Sequence, residues 1–148
     1  IIMNKLAENP LPIGADFYNN GYVVSFTVKL NALKAFEFAL QNSKGEKIVY
    51  YFDTEEKKLV VDRRKSGLTD FSNNFADPLI IAPLIPKESY TIHLWVDKAS
   101  VEAFVNGGEV VQTNTVFPTE PYNQLWFNLR GNAVVSVENI TLYKIKNQ

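Results

Sequence analysis

The chain reads HLWVDKASVEAFVNGGEVVQTNTVFP from His93 to Pro118, and this stretch decides the fold. Aliphatic residues occupy every second position of its first part: Ile92, Leu94 and Val96 alternate with Thr91, His93 and Trp95. A period of two places the aliphatic side chains on one face of a β-sheet. The stretch therefore predicts three strands, beginning at Tyr90, that are joined by two tight turns.

Two short polar segments form these turns. Asp97 begins the first turn, over residues 97–100, where its carboxylate can accept backbone N–H groups one or two residues on. The second turn is residues 106–109, read as Asn-Gly-Gly-Glu. Asn-Gly or Gly-Gly takes the positive φ angles that hairpin loops of two residues need. We expect Gly107 and Gly108 to occupy this turn, with at least one of them at positive φ.

The rest of the chain also reads as short strands. Residues 22–30 place five apolar side chains on one face: Tyr22, Val24, Phe26, Val28 and Leu30. Residues 35–41 fit either a helix or a strand, and we choose a strand because Phe36, Phe38 and Leu40 alternate with other residues. Further strands are predicted at residues 46–53, 58–63, 79–84, 124–130 and 133–146. No segment has a convincing period of 3.6 residues, so the pattern indicates an all-β sandwich or barrel.

Length and composition limit the classes of function. A chain of 148 residues is expected to be one domain, residues 1–148, in which residues 1–20 form a linker or edge segment. The net charge of −1 gives no indication of nucleic-acid or anionic-membrane binding. The sequence has no cysteine, which excludes disulfides, and no apolar run of membrane-spanning length. The abrupt start at Ile1-Ile2-Met3 is interpreted as that of a piece excised from a longer protein.

The hairpin region resembles a known family. Its pattern is Leu94-Trp95-Val96-Asp97-x-x-Ser100-Val101-Glu102-x-Phe104-Val105-Asn106-x-Gly108-Glu109, which is similar to the C-terminal β-sandwich module of glycoside hydrolase family 32. Gly107 stands where that family has an acidic residue, and Ala103 where a larger aliphatic is usual. The resemblance covers residues 48–118 well and the flanks loosely. It implies a sandwich of two antiparallel sheets, of lectin-like jelly-roll type, that follows a five-bladed catalytic propeller.

The same resemblance implies a function for the parent protein. The family contains levanases, inulinases and invertases, which implies an exported parent that hydrolyses fructosyl bonds. Its catalytic motifs lie in the propeller: an Asn-Asp-Pro-Asn box, an Arg-Asp-Pro box and a Glu-Cys box. None occurs here, since Asp77-Pro78 is not preceded by the arginine or asparagine of those boxes and cysteine is absent. We therefore expect a non-catalytic module without a cofactor that packs on its own propeller and stabilises it, with a homodimer as a further partner.

Carboxylates elsewhere in the chain do not predict a catalytic site. Asp97 and Glu102 are the nearest approach to the carboxyl pair that glycoside hydrolysis needs, and they flank one turn. We favour the interpretation that Asp97 holds the turn and Glu102 is solvated. His93 is the only histidine and is expected to be structural or at the surface, because a metal site needs more partners.

The hairpin at residues 53–62 carries its own cluster of charges. Its carboxylates lack the glycine and the oxygen spacing of a calcium loop, so no metal site is predicted: Asp53, Glu55, Glu56 and Asp62. Asp62 is followed by Arg63 and Arg64, which leaves two alternatives open. One is a buried ion pair that fixes the next loop, and the other is a contact to the propeller.

Three aromatic residues, Trp95, Tyr122 and Trp126, are candidates for stacking on sugar rings. Aromatics make up 13% of the chain, and most are expected in the core. An alternative function is therefore a carbohydrate-binding module that uses Trp126 and Tyr122 on fructan. Such a module binds levan or inulin by itself, whereas a docking module shows an apolar patch and no such affinity.

Some large apolar residues fall outside the inward alternation of the strands. Trp95 and Phe104 do so on predicted strands, and Phe71 and Phe75 lie in the long loop at residues 66–78. Each strand has one inward face, so these side chains are not all core. We predict that some of them cluster on one exposed face, beside residues 66–78, that the propeller normally covers.

Overall fold

Short strands with alternating buried and exposed side chains build the chain into two sheets. The structure, a computed structural model, describes residues 2–3, 9–30, 35–67, 79–128 and 134–145. The strands are β1 (Ile2–Met3), β2 (Leu11–Pro12), β3 (Tyr22–Leu30), β4 (Ala35–Gln41), β5 (Lys47–Asp53), β6 (Lys58–Asp62), β7 (Leu79–Pro83), β8 (Ser89–Val96), β9 (Ser100–Val105), β10 (Val110–Thr115), β11 (Gln124–Asn128) and β12 (Val134–Lys144). One helical turn, α1 (Ala15–Tyr18), precedes β3. Among the described residues no helix has the length and apolar character that crossing a membrane requires.

Within the described residues, each of the two sheets contains six strands. Sheet A has the order β1-β12-β3-β8-β9-β10, and sheet B has the order β2-β11-β4-β5-β6-β7. The pairings between neighbouring strands are antiparallel. The stretch quoted first supplies three adjacent strands of sheet A, β8 to β10, and β4 is a strand as predicted. The predicted all-β sandwich of two antiparallel sheets is confirmed.

The inward faces of the two sheets share one apolar core. The five residues of β3 that were predicted to share a face are all buried: Tyr22, Val24, Phe26, Val28 and Leu30. Aromatic rings pack against each other between the sheets. The ring centroid of Phe26 lies 5.1 Å from that of Phe38 and 5.0 Å from that of Phe127, edge to face in both pairs. Such pairs add about 0.5–1.5 kcal/mol beyond their area burial. Because the inward faces are filled, binding surfaces have to be sought on the outer faces and at the ends.

The loop between β9 and β10 is the segment predicted as the second turn. Val105 pairs with Val110, so residues 106–109 form a loop of four residues. Asn106, Gly107 and Gly108 have φ angles of 50°, 72° and 114°. The prediction that Gly107 or Gly108 takes a positive φ is confirmed.

The N-terminal segment contributes an edge strand and a helical turn. Leu11–Pro12 pairs with Gln124 and Leu125 at one edge of sheet B. The helix α1 was not predicted, because a single turn is too short to show a helical period. Its N–H groups at Phe17 and Tyr18 donate to the Gly14 carbonyl at 3.0 and 3.1 Å.

Candidate functional site

The outer face of sheet A carries exposed and half-buried apolar residues in two neighbouring rows. Tyr143 of β12 lies opposite Val23 of β3, and Val23 lies opposite Trp95 of β8. On the next two strands, Phe104 lies opposite Val111. Trp95 is 44% exposed, Val111 47% and Tyr143 56%. We call these five residues the aromatic band.

The aromatic band crosses five adjacent strands, from β12 to β10. Strands in a sheet lie about 4.8 Å apart, so the band is roughly 19 Å wide. Glu102 lies opposite Trp95 within this face, and exposed apolar surface that is rimmed by polar residues is typical of interaction sites in soluble proteins. Trp95 and Phe104 share this face. Phe71, Phe75 and most of the segment 66–78, beside which the cluster was predicted, lie outside the described residues.

The outer face of sheet B has exposed apolar residues at its β7 edge, and it also contains a depression. One row across four strands consists of Trp126, Ala39, Val49 and Asp62. The short side chains of Ala39 and Val49 form the floor of a depression, with Trp126 at one end and Asp62 at the other. Polar residues from the rows on either side complete it. We call it the trough and define it by Trp126, Ala39, Val49, Glu37, Lys47, Asp62 and Arg64.

The trough consists of two adjoining cavities. One has a volume of about 600 Å³ and the other about 520 Å³, and both are lined by Glu37, Lys47 and Val49. Small-molecule sites in proteins have volumes of roughly 300–1,000 Å³. The trough therefore has the size of a ligand site.

Hydrogen bonds between neighbouring side chains hold the charged groups of the trough in place. The Asn128 Nδ2 donates to Glu37 Oε1 at 2.6 Å. At the other end, Arg64 Nε and Nη2 donate to the two carboxylate oxygens of Asp62 at 3.0 and 2.8 Å. These hydrogen bonds from Arg64 lower the pKa of Asp62, although partial burial opposes the shift. Asp62 is therefore an ionised, paired carboxylate at neutral pH.

The three aromatic residues considered for sugar stacking do not form one platform. Trp95 lies on the outer face of sheet A, and Trp126, which is 37% exposed, lies on the outer face of sheet B. Tyr122 is only 3% exposed, its Oη donates to the Ser66 carbonyl, and burial raises its pKa. Tyr122 therefore has no free ring face, and the structure removes it from the residues that can stack on a sugar.

A smaller cavity lies at the end of the sandwich beside Tyr122. Its volume is about 210 Å³, and its lining includes Tyr18, Tyr22, Asp97 and Glu120. This is below the usual size of a small-molecule site. The Tyr22 hydroxyl donates to the Tyr122 carbonyl at 3.0 Å, so the floor of the cavity is part of the internal structure.

The carboxylates near the first turn have structural surroundings. The Asp97 Oδ1 accepts the Lys98 N–H at 2.8 Å, and the Asp97 N–H donates to the Ser100 carbonyl at 2.9 Å. Asp97 thus holds the turn, as we interpreted it from the sequence. Glu102 lies on the outer face of sheet A, opposite Trp95. His93 lies on the same outer face, in the neighbouring row.

The two arginines that follow Asp62 have different roles. The exposed Arg64 forms the ion pair with Asp62. Arg63 is buried, and its Nη1 donates to the Thr115 carbonyl at 2.9 Å, which connects the end of β6 in sheet B to β10 in sheet A. The alternative of a buried pair with Asp62 is thus replaced by an exposed pair with Arg64. In the neighbouring turn, Asp53 Oδ1 accepts the Glu56 N–H at 2.9 Å.

Sequence reasoning did not identify the trough. Its residues Glu37, Lys47 and Val49 occupy the outward positions of β4 and β5, which in an alternating sequence look like a solvated face. The only sequence signal is the pair of short residues, Ala39 and Val49, at outward positions. Their pairing with Trp126 depends on contact between strands that are far apart in the chain.

Comparison with known proteins identifies the family. The family model described as "Glycosyl hydrolases family 32 C terminal" matches residues 5–144. A levanase of Bacillus sp. (strain L7) is 35% identical over 104 residues, which is 70% of this chain and 11% of the levanase. The extracellular exo-inulinase of Aspergillus ficuum is 32% identical over 126 residues, which is 80% of this chain and 23% of that enzyme. The chain thus spans less than a quarter of these relatives.

A solved structure shows the same fold. The crystal structure of exo-inulinase from Aspergillus awamori superimposes with a TM-score of 0.74 at 23% identity, and the match covers 99% of this chain and 28% of that chain. The sequence resemblance, the family match and the two-sheet architecture agree along nearly the whole chain. The chain therefore belongs to the C-terminal modules of glycosyl hydrolase family 32.

Proposed function

We propose that this chain is the non-catalytic C-terminal module of an exported fructan hydrolase and that it docks on the catalytic domain of the same polypeptide. Two relatives are named levanase and extracellular exo-inulinase, and the matched region is 11% and 23% of their lengths. We infer that most of the parent lies outside this module and supplies the catalytic domain on which the module docks. The catalytic boxes named above occur nowhere in the 148 residues.

The aromatic band is the observation that carries this proposal. Domains of one chain bury roughly 600–1,500 Å² against each other. Trp and Tyr are the residues that most often anchor such interfaces, because they bury a large area with few rotatable bonds. Trp95 lies in the middle of the band, between Val23 and the strand that carries Phe104. Docking through this face shields the apolar surface and leaves sheet B open to solvent.

The docking face is tested by mixing the chain with its parent's catalytic domain, produced separately, in a sedimentation-velocity experiment. We expect a complex with the wild-type chain and at least about tenfold weaker association with Trp95→Asp, because an anchor residue typically contributes about 2 kcal/mol or more. Trp126, a tryptophan on the opposite face that is 37% exposed, supplies the matched control, and Trp126→Asp should leave the complex unchanged. A wild-type chain that stays monomeric and ignores the catalytic domain rejects docking as its role.

The same surface explains the proposed homodimer. Without the catalytic domain, the aromatic band is free to pair with that of a second copy, which shields apolar area in the same way. Sedimentation of the chain alone should show self-association that Trp95→Asp abolishes and that the catalytic domain competes away. A dimer that survives in the presence of excess catalytic domain places docking on another face.

A further inference from the structure

We infer that the trough on sheet B binds one or two sugar units of a neutral oligosaccharide. The assignment of this oligosaccharide to fructan rests on the proposed function, whereas the site itself rests on the trough. The site lies on the face opposite the aromatic band. It therefore remains accessible when the band is covered.

The shape of the trough suits a sugar ring. Trp126 forms a wall that is partly exposed, and Ala39 and Val49 keep the floor low beside it. The face of an aromatic ring offers apolar area against which the C–H groups of a sugar can pack. A polar face without such short residues gives no depression. Here the depression reaches the volume of a ligand site.

The polar groups around the floor match sugar hydroxyls. Gln41 and Lys47 face each other across one side, and Asn128 and Glu37 across the other. These side chains offer both donors and acceptors, and a hydroxyl group acts as both. The arrangement therefore recognises a ligand with hydroxyls on two edges and an apolar face between them.

The trough carries little net charge. Two carboxylates, Glu37 and Asp62, alternate with the cations Lys47, Arg64 and Lys65. Asp62 and Arg64 neutralise each other in a direct ion pair of 2.8 Å. The remaining charged groups, Glu37, Lys47 and Lys65, leave only one net positive charge, so the choice of a neutral ligand rests on the apolar floor and on the groups that match sugar hydroxyls.

The trough is organised before any ligand arrives. The Trp126 Nε1 donates to Gln124 Oε1 at 3.0 Å, and Gln41 Nε2 donates to the same oxygen at 3.4 Å. Together with the hydrogen bonds of Glu37 and Asp62 described above, these hydrogen bonds fix the side chains at both ends and along one side of the trough. A site with fixed side chains loses less conformational entropy on binding than a mobile one.

A titration followed by two-dimensional amide NMR tests the site without any substitution. The 148-residue chain is titrated with short levan-type and inulin-type fructo-oligosaccharides up to about 10 mM, a range that detects weak single-site binding. We expect saturable shifts of the Trp126 indole and of backbone amides in β4, β5 and β11. Shifts centred on Trp95 or on the cavity beside Tyr18, or no saturable shift with any fructan, overturn the proposal.

Matched variants then separate the trough from the rest of the surface. Trp126→Ala should weaken fructan binding by at least about fivefold, since it removes one ring-stacking contact. Val49→Tyr fills the floor and should abolish binding while adding a residue with high strand propensity. Trp95→Ala is the control on the other face and should bind as the wild type does. Wild-type affinity in both trough variants overturns the site.

A ligand series tests the fructan assignment separately. Cello-oligosaccharides are neutral and of similar length but lack fructose. We expect at least about tenfold weaker binding than for fructo-oligosaccharides, equivalent to about 1.4 kcal/mol. Equal or tighter binding of cello-oligosaccharides at Trp126 overturns the assignment to fructan. The docking proposal is tested by variants of Trp95 on the opposite face. Failure of the docking proposal can therefore be distinguished from failure of the fructan-binding proposal.

Discussion

Asn106 and Thr91 are bound to each other twice, through backbone and side chain. The Asn106 N–H donates to the Thr91 carbonyl at 2.8 Å, and the Asn106 Oδ1 accepts the Thr91 N–H at 2.8 Å. The first residue of the 106–109 loop thereby closes the ladder between β8 and β9, where regular pairing ends at Ile92 and Val105. Asn106 has a φ of 50°, a conformation that asparagine tolerates better than most residues.

Replacement of Asn106 should therefore destabilise the sandwich in two separable steps. Asn106→Gly removes the side-chain acceptor and keeps the backbone conformation, so we expect a loss of about 1–2 kcal/mol. Asn106→Ala adds the strain of a left-handed residue, which costs roughly 1 kcal/mol more. Urea unfolding of the three proteins measures both steps. Equal stability of the glycine variant and the wild type contradicts a role for the side chain.

Gly107, in the same loop, should accept only residues that tolerate a left-handed backbone conformation. Gly107, at a φ of 72°, has open space where a Cβ would project, so conformation alone limits the side chain. Gly107→Val should cost about 1 kcal/mol or more, because β-branched residues avoid this region. Gly107→Asn is the control and should be nearly neutral, since asparagine adopts the left-handed conformation. If the unfolding midpoints of both variants equal that of the wild type, Gly107 does not have the positive φ angle described here.

Gly67 should be far more sensitive than a glycine in open space. It has a φ of 148°, and a Cβ added there overlaps the Phe117 carbonyl and the Pro118 nitrogen. Gly67→Ala should therefore cost more than about 2 kcal/mol, since backbone must move to make room. Gly45, at a φ of 80° with no atom near an added Cβ, is the matched control. Gly45→Ala should cost about 1 kcal/mol, and equal losses at both sites argue against the close contact.

Local alternation explains why most of the fold was readable from the sequence. The inward residues of β3 and the ambiguous segment 35–41 follow a period of two, and both are strands with the expected buried face. Tyr122 shows the limit of this reasoning. It follows Pro121 in a polar, irregular segment, which reads as exposed, yet the chain folds back and buries the ring. Only tertiary contacts, such as the bond to the Ser66 carbonyl, determine that outcome.

The trough was unreadable for a related reason. Trp126 pairs with Ala39 across sheet B, and Ala39 pairs with Val49. The first pairing joins distant parts of the chain, and no local pattern specifies which strands become neighbours. The aromatic band was partly readable, because Trp95 and Phe104 violate the alternation on adjacent strands of a recognisable hairpin.

Stability should depend on pH through Glu46. Three donors converge on its Oε1: Asn42 Nδ2 at 2.9 Å, Thr119 N at 2.8 Å and Thr119 Oγ1 at 2.9 Å. Partial burial would raise the pKa of Glu46, but these hydrogen bonds outweigh it and lower the pKa. A lowered folded pKa stabilises the protein above the unfolded pKa of about 4.3, and this contribution is lost as the pH falls through the folded value.

The Glu46→Gln variant isolates this effect. We expect the free energy of unfolding of the wild type to exceed that of the variant most clearly near pH 7. The difference should shrink as the pH falls below the unfolded pKa of about 4.3 and then through the lowered folded pKa, because the wild-type carboxylate becomes protonated. Unfolding of both proteins in urea at several pH values gives the comparison. A difference that stays constant with pH assigns the effect to packing rather than to the charge.

The chain should bind fructan without cleaving it, even though the trough contains two carboxylates. Glycoside hydrolysis needs one carboxyl group that remains protonated to donate to the leaving group and a second that acts as nucleophile or base. Asp62 is unsuited to the first role because the hydrogen bonds from Arg64 lower its pKa, and it is unsuited to the second because Arg64 occupies both of its oxygens. Glu37 accepts a hydrogen bond of 2.6 Å from Asn128 in the same trough. We therefore expect the purified chain to release no fructose from levan, inulin or sucrose, measured as reducing sugar against a buffer blank. Turnover that survives repurification and disappears in Asp62→Asn or Glu37→Gln overturns this prediction and identifies the trough as a catalytic site.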